Sequence, residues 1–148
     1  MGRAAEGNQW NYYETIGGGM GAGATGGGLS AVQTHMTNTL NTPIEVLETR
    51  FPLRVLDYSI RRGSGGAGRR NGGDGLVREF KFLESAQVSV LTERRHFAPW
   101  GSNGGNDGKP GSNQLNGKDM PAKFQASVDS GYVLKIETPG GGAYGEDK

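Results

Sequence analysis

Cysteine is absent from the 148-residue chain, which excludes a disulfide framework and thiolate zinc sites and agrees with a reducing compartment. Long hydrophobic runs are absent too. Nothing approaches the roughly 18 apolar residues of a membrane span, and the first residues lack the apolar core of a signal peptide. Net charge is close to nil, +1 from 16 basic and 15 acidic side chains, so no bulk field draws the chain to nucleic acid or to a membrane surface. The expectation is a cytoplasmic protein with neither as a partner. Apolar side chains are also scarce, at 33%, against the ~45–50% usual on a count that includes glycine.

Glycine is what the chain has in excess. Its 28 glycines and six prolines approach the roughly 25–30% at which low complexity becomes the expectation. Two readings follow: partial disorder, or a loop-rich β fold whose thin core is completed by another chain. The glycines stand in non-repeating contexts beside aromatics and prolines, which favours the second reading. The length fits one domain, residues 1–148, with 1–9 frayed at the end.

Taken in order, Trp10 to Ile16 reads as a short strand carrying one acid, Glu14, and Gly17 to Gly28 as a loop. Leu29 to Met36 is long enough for one or two helical turns, but Thr34, Thr37, Asn38, Thr39 and Thr42 argue against a stable helix there. Thr42 is placed to cap a single turn over Ile44 to Leu47, with Pro43 at its first position. Arg50 to Arg62 alternates apolar and polar residues, as a half-buried strand does. A glycine-rich connection runs from Gly63 to Gly75. Leu76 to Leu83 and Gln87 to Thr92 suggest a hairpin across Glu84-Ser85-Ala86. Glu93 to Gly117 reads as a long loop. Lys123 to Val128 and Tyr132 to Thr138 read as a last pair across Asp129-Ser130-Gly131, before a glycine elbow at Pro139 to Gly145. The fold class expected is mainly β (β-rich α+β): antiparallel strands and hairpins joined by long glycine-rich loops.

Three groups of residues carry possible chemistry. Gly21-Ala-Gly23-Ala-Thr-Gly26 has the GxGxxG spacing, but a run so rich in glycine meets it by chance, and no clear helix follows to hold a pyrophosphate. A Walker A loop is excluded, since no Gly-Lys-Ser/Thr follows. His35, Asn38, Glu45 and Glu48 form a polar constellation able to move protons or bind a metal; the alternative is that they cap turns and bond loop amides. Arg69, Arg70, Arg94 and Arg95 suit a phosphate or carboxylate clamp, or else brace the loops beside them.

Five blocks then stand out in order: YYETIGGGMGA, HMTNTLNTPIEVLE, SGGAGRRNGGDGLVREF, ERRHFAPWGSNGG and IETPGGGAYG. Together they closely resemble the carboxy-terminal part of the hydantoinase B / 5-oxoprolinase family, across nearly all of Gln9 to Gly145. The family's B subunits are several times longer, so the resemblance implies a segment of a larger hydantoinase B fold. It also implies an ATP-dependent hydrolase of cyclic amides, or a related ketone carboxylase. The implied partners are a hydantoinase-A-like subunit and the amino-terminal part of the B subunit, with a small cyclic amide as substrate. ATP and a divalent metal are implied for the full complex, and none is assigned to this segment. The residues expected to act in catalysis are His35, Asn38 and Glu45. Gly18, Gly19, Thr39 and Arg70 are expected to bind substrate, and no metal ligand is expected.

Overall fold

The computed structural model describes residues 2–3, 9–34 and 37–147. Among these residues, nine strands and one helix follow in order: β1 (Gly2–Arg3), β2 (Gln9–Trp10), α1 (Ile44–Arg50), β3 (Leu53–Arg61), β4 (Gly75–Phe82), β5 (Ala86–Leu91), β6 (Ser112–Leu115), β7 (Lys118–Met120), β8 (Lys123–Val128) and β9 (Val133–Glu137). They form two antiparallel sheets, ordered β3-β4-β9-β6-β7 and β2-β1-β5-β8. The mainly β class expected from the sequence is what the chain adopts.

Period-two patterning sets the faces. In β4 the residues Leu76, Arg78, Phe80 and Phe82 share one side, opposite Ile60, Tyr58, Val55 and Leu53 of β3 in register. Leu134 and Ile136 of β9 continue that side, paired with Phe80 and Arg78. Arg54, Glu79, Lys81 and Lys135 lie on the other. One face therefore packs and the other is charged, as antiparallel sheets permit. Against the packed face come Ala86 and Val90 of β5 and Val128 of β8 from the second sheet, with Leu47 of α1, to make the core.

Neither hairpin expected from the sequence forms. β4 pairs with β3 and β9, whereas β5 pairs with β8, so both connections pass from one sheet to the other. The two crossings lie side by side and hold each other. Phe82 N donates to Tyr132 O at 2.9 Å, Gly131 N to Phe82 O at 2.7 Å, and Ser130 Oγ to Leu83 O at 2.7 Å. The long loop after Glu93 contains a true hairpin, β6-β7, turning on Asn116 (φ 49°) and Gly117 (φ 75°). Two successive left-handed residues are what a two-residue Asn-Gly turn requires.

Trp10 to Ile16 is strand only at its first residue. Leu29 to Thr34 is not helical: it bends at Ser30 and Ala31, the latter at φ 58°, and Val32 is bridged to Gly18. The helix runs a turn further than expected, to Arg50. Its cap is Pro43, with no side-chain bond; Thr42, expected to cap it, is tied through its N–H to Glu14 Oε1 at 2.9 Å.

The glycine-rich stretches are not separate loops but a packed bundle of extended segments. The stretch 139–143 lies at its centre. Gly19 N donates to Pro139 O, Ala22 N to Gly142 O, Gly66 N to Gly141 O, Gly141 N to Gly73 O, Gly140 N to Lys109 O and Ala143 N to Asn106 O. A sheet strand has two neighbours; this one has at least four, as chains do when glycine lets backbones approach to a shared axis. A Cβ on Gly19 would run into the Gly73 carbonyl and the Gly140–Gly141 backbone.

Asp74 ties the bundle to β4. Its Oδ1 accepts from Ser64 N at 2.9 Å and Gly65 N at 2.8 Å, and its own N–H donates to Ser30 Oγ at 2.8 Å. Burial works to raise this carboxyl, but the backbone donors of residues 63–65 outweigh it and hold the group below its ordinary value. A carboxyl lowered by folding contributes stability above its unfolded value of ~3.9, and loses it as pH falls through the folded value. Asp74→Asn should therefore cost about 1 kcal/mol at pH 7. Thermal melts of variant and parent should converge near pH 3 and below; a pH-independent gap would show that the charge is irrelevant.

Candidate functional site

The segment from Trp10 to Gly18 crosses the edge of the packed face and carries the polar groups that meet it. Glu14 is the pivot. One carboxylate oxygen accepts from Thr42 N, at the entry to α1; the other lies 3.0 Å from Arg78 Nη2 in the centre of β4. The side chains are 7% and 0% exposed, so this is a buried ion pair. Its angle is not that of a hydrogen bond: Glu14 Oε2 and the three guanidinium nitrogens of Arg78 have no hydrogen-bond partner among the described residues. The guanidinium is held instead over the rings of Tyr58, 4.1 Å to the centroid, and Phe80, 5.1 Å. The Tyr12 hydroxyl lies beside the same pair, and burial first, then Glu14, pushes its pKa well above the usual tyrosine value. It is neutral at any physiological pH.

A knot of uncharged polar side chains continues outward from Glu14. Thr15 O accepts from Gln33 Nε2 at 2.7 Å and Asn41 Nδ2 at 2.9 Å. Gln33 Oε1 accepts from both the N–H (2.8 Å) and the hydroxyl (2.7 Å) of Thr39, whose Oγ1 lies 2.8 Å from Thr15 Oγ1. This knot fixes the chain on either side of residues 35–36.

Between the two sheets the core is incompletely filled. A cavity of about 690 Å³ opens there, with apolar walls from Phe80, Phe82, Val88, Val90, Leu134 and Ile136. Glu14, Thr15, Gly18 and Thr37 form its polar side, and Arg94 and Arg95 also line it. Arg94 stacks on Trp100 at 4.5 Å. Arg95 is bound to Asn113 Oδ1 and Glu93 O; burial, then Arg61, lowers its pKa to about 10, so it stays charged at neutral pH. These two arginines brace their loop.

The expected site residues are distributed as follows. His35 lies outside the described residues. Asn38 is exposed beside the knot, and Thr39 is part of it. Glu45 is exposed on the first turn of α1, with its carbonyl accepting from Thr49 Oγ1. Gly18 is bridged to Val32 and lines the cavity, while Gly19 is enclosed in the glycine bundle. Arg70 is bonded through its backbone to Tyr144 at another part of the bundle, and its Nη1 is buried without a hydrogen-bond partner among the described residues. Thr39 thus joins the knot, whereas no hydrogen bond or ion pair described here connects Arg70 to it.

Sequence reasoning passed over Arg78, Tyr12 and Gln33. A signal existed for Arg78: in Leu76-Val77-Arg78-Glu79-Phe80 the period-two phase puts the arginine on the apolar face, where a cation needs an acid. Glu14, the lone acid of an apolar run, was the matching half.

Residues 1–147 match the family model described as Hydantoinase B/oxoprolinase. The chain belongs to this family. Among relatives, it is 48% identical over 143 residues to 5-oxoprolinase 1 of Arabidopsis thaliana, covering 93% of this chain and 11% of that protein. Among solved structures, the hydantoinase B-type fold is shared with an ATP-dependent caprolactamase from Pseudomonas jessenii: TM-score 0.70, 24% identity, 88% of this chain and 24% of that one. An acetone carboxylase in nucleotide-free form shares it at TM-score 0.67 and 18% identity, over 87% and 22%. The chain therefore spans about a tenth of the relative's length and under a quarter of each solved chain.

The described residues of this hydantoinase B segment do not fit a nucleotide or a divalent cation. The Gly23–Gly26 turn is exposed and closes on itself by Gly23 N donating to Gly26 O, with no helix amino terminus behind it among those residues. Glu14 already faces a cation, and no group of three ligating side chains occurs among the described residues. No helix among them is long and apolar enough to cross a membrane.

Proposed function

We propose that this chain is a component of an ATP-dependent cyclic-amide hydrolase, opening hydantoin, 5-oxoproline or other lactam rings. In this reading it acts with a hydantoinase-A-like partner and the remainder of the B-type polypeptide, in the cytoplasm. The observation that carries it is the 48% identity, along nearly the whole chain, to a protein named for 5-oxoproline. The fold shared with a caprolactamase agrees, since both names denote a ring closed by an amide. Ring opening needs proton transfer at the amide, for which His35, Asn38 and Glu45 are the residues assigned, with Gly18, Gly19, Thr39 and Arg70 for substrate. Thr39 belongs to the polar knot and its neighbour Thr37 lines the cavity, which supports the assignment of Thr39. ATP and the divalent metal belong in this reading to the rest of the complex. The fold shared with acetone carboxylase supports a second reading, a subunit of a ketone carboxylase.

The test is co-expression of this chain with Arabidopsis 5-oxoprolinase 1 lacking its matched segment, assayed with ATP and Mg²⁺. The expected result is ATP-dependent ring opening of 5-oxoproline by the complex and none by either part alone. His35→Ala should lower kcat by about 10²–10⁴, the usual weight of a general acid–base group. A fully active His35→Ala complex would make the segment an assembly module, and ATP-dependent fixation of bicarbonate onto acetone would select the carboxylase.

A further inference from the structure

β5 is built to receive another strand. On one side β8 accompanies it from Ala86↔Val128 to Leu91↔Lys123. On the other, β1 pairs with its first residue, Gly2↔Ala86. From Val88 to Leu91 that second edge borders the 690 Å³ cavity, which explains why residues of both faces of β5, Val88 and Val90 but also Ser89 and Leu91, line it. An edge open beside an apolar wall invites pairing.

Direction and chemistry agree. Because β1 runs antiparallel to β5 with Gly2 opposite Ala86, a strand in line with β1 and running the same way would pass Leu91, Val90, Ser89 and Val88 in turn. Four such positions span roughly 13 Å at ~3.4 Å per residue. Side chains opposite Val88 and Val90 would point at Phe80, Phe82 and Leu134; the one opposite Ser89 would point away. Trp10 Nε1 is buried at the same cavity without a hydrogen-bond partner among the described residues, and awaits an acceptor. Most of a relative's polypeptide lies outside the matched segment.

We propose that the cavity is the slot for one further β-strand, supplied by the remainder of the hydantoinase B polypeptide and pairing antiparallel with β5 along Val88–Leu91. The strand is apolar at the two positions opposite Val88 and Val90. Main-chain bonds hold it, and the alternating wall selects it. This rests on the family reading above and names the surface by which the segment joins the rest.

The co-expressed complex tests it by native mass and amide exchange. One copy of each polypeptide is expected, with the cavity-facing amides of Val88–Leu91 exchanging at least tenfold more slowly than in the isolated chain. Val88→Lys should weaken the complex tenfold or more, and Gln125→Lys, on the outer face of β8, should not. Circular dichroism of the isolated variants checks folding, and Val88→Thr, which suits a strand, replaces the lysine variant if that one unfolds. A complex whose edge amides exchange as in the free chain overturns the proposal, and so does absence of a complex. A dimer of this chain protecting the same amides also overturns it, by naming the wrong occupant. Ring-opening activity is read separately: an active complex without edge protection keeps the functional reading and loses this one, and a protected but inactive complex does the reverse.

Discussion

Glu14→Gln is expected to lower the stability of the fold by about 3–5 kcal/mol, the range for stripping one partner from a buried ion pair. The Arg78 side chain is 0% exposed, so once its carboxylate partner is neutral it has only two aromatic faces to offset lost hydration. Those are worth roughly 2 kcal/mol when desolvated, less than the several kcal/mol that burying the cation costs. Against a typical total of ~5–15 kcal/mol, the variant stands near unfolding. At ~2–4 °C per kcal/mol for a domain of this size, the loss amounts to a drop in Tm of about 6–20 °C. Glutamine keeps an acceptor for Thr42 N, so the loss reports the charge and not the entry to α1. Arg78→Met should cost less, because Glu14 keeps the Thr42 bond and a little exposure, and the double variant should recover most of the loss. Urea titration of the four species closes the cycle. If Glu14→Gln moves the midpoint by less than the equivalent of 1 kcal/mol, the rings and not the carboxylate neutralise Arg78.

That pair shows where the sequence was legible. The strands β3, β4, β8 and β9 announce themselves by alternation, and the mainly β class follows from them. Their partners do not, because pairing is decided by contacts across tens of residues: the turn residues at 84–86 and 129–131 look alike whether they close a hairpin or carry the chain to the other sheet. What separates the outcomes is that Phe82 and Tyr132 bond each other across the two crossings, and no local pattern encodes that. Asn116-Gly117 is the opposite case, a hairpin signal written openly and hidden only by the polar, glycine-rich stretch around it. The polar knot was half visible: Thr39 was conspicuous, but the groups that order it belong elsewhere, Thr15 to a stretch that reads as strand and Gln33 to one long enough for a helical turn. The glycines were the least legible, since a residue without a side chain reads the same in a tether and in a bundle.

Gly141→Ala separates those two meanings. In a tether the change would be neutral or would stabilise by restricting the unfolded chain, by about 0.4–1 kcal/mol. In the bundle the new methyl meets the carbonyl of Met20 and the Met20–Gly21 backbone. Gly141 N and O are already committed, to Gly73 O and Gly66 N at 2.8 and 2.9 Å, so the segment cannot move aside without breaking bonds to two neighbours. Side-chain overpacking costs ~1–3 kcal/mol because side chains yield; here the obstacle is backbone, and the loss should exceed that range. Gly23→Ala is the control. Nothing lies within 4 Å of its added methyl, and its effect should stay within about 0.5 kcal/mol, as at open surface positions. Urea midpoints of both variants decide the matter: a large loss at residue 141 with none at 23 makes 139–143 the axis of the fold, and equal, small effects would return it to a flexible elbow. The same axis anchors Gly19 and Ala22, shortly after the segment that carries Glu14. Loss of the bundle should therefore also loosen the Glu14–Arg78 pair, and amide exchange at Thr42, whose N–H is bound by Glu14, should quicken in Gly141→Ala although residue 141 makes no contact with it.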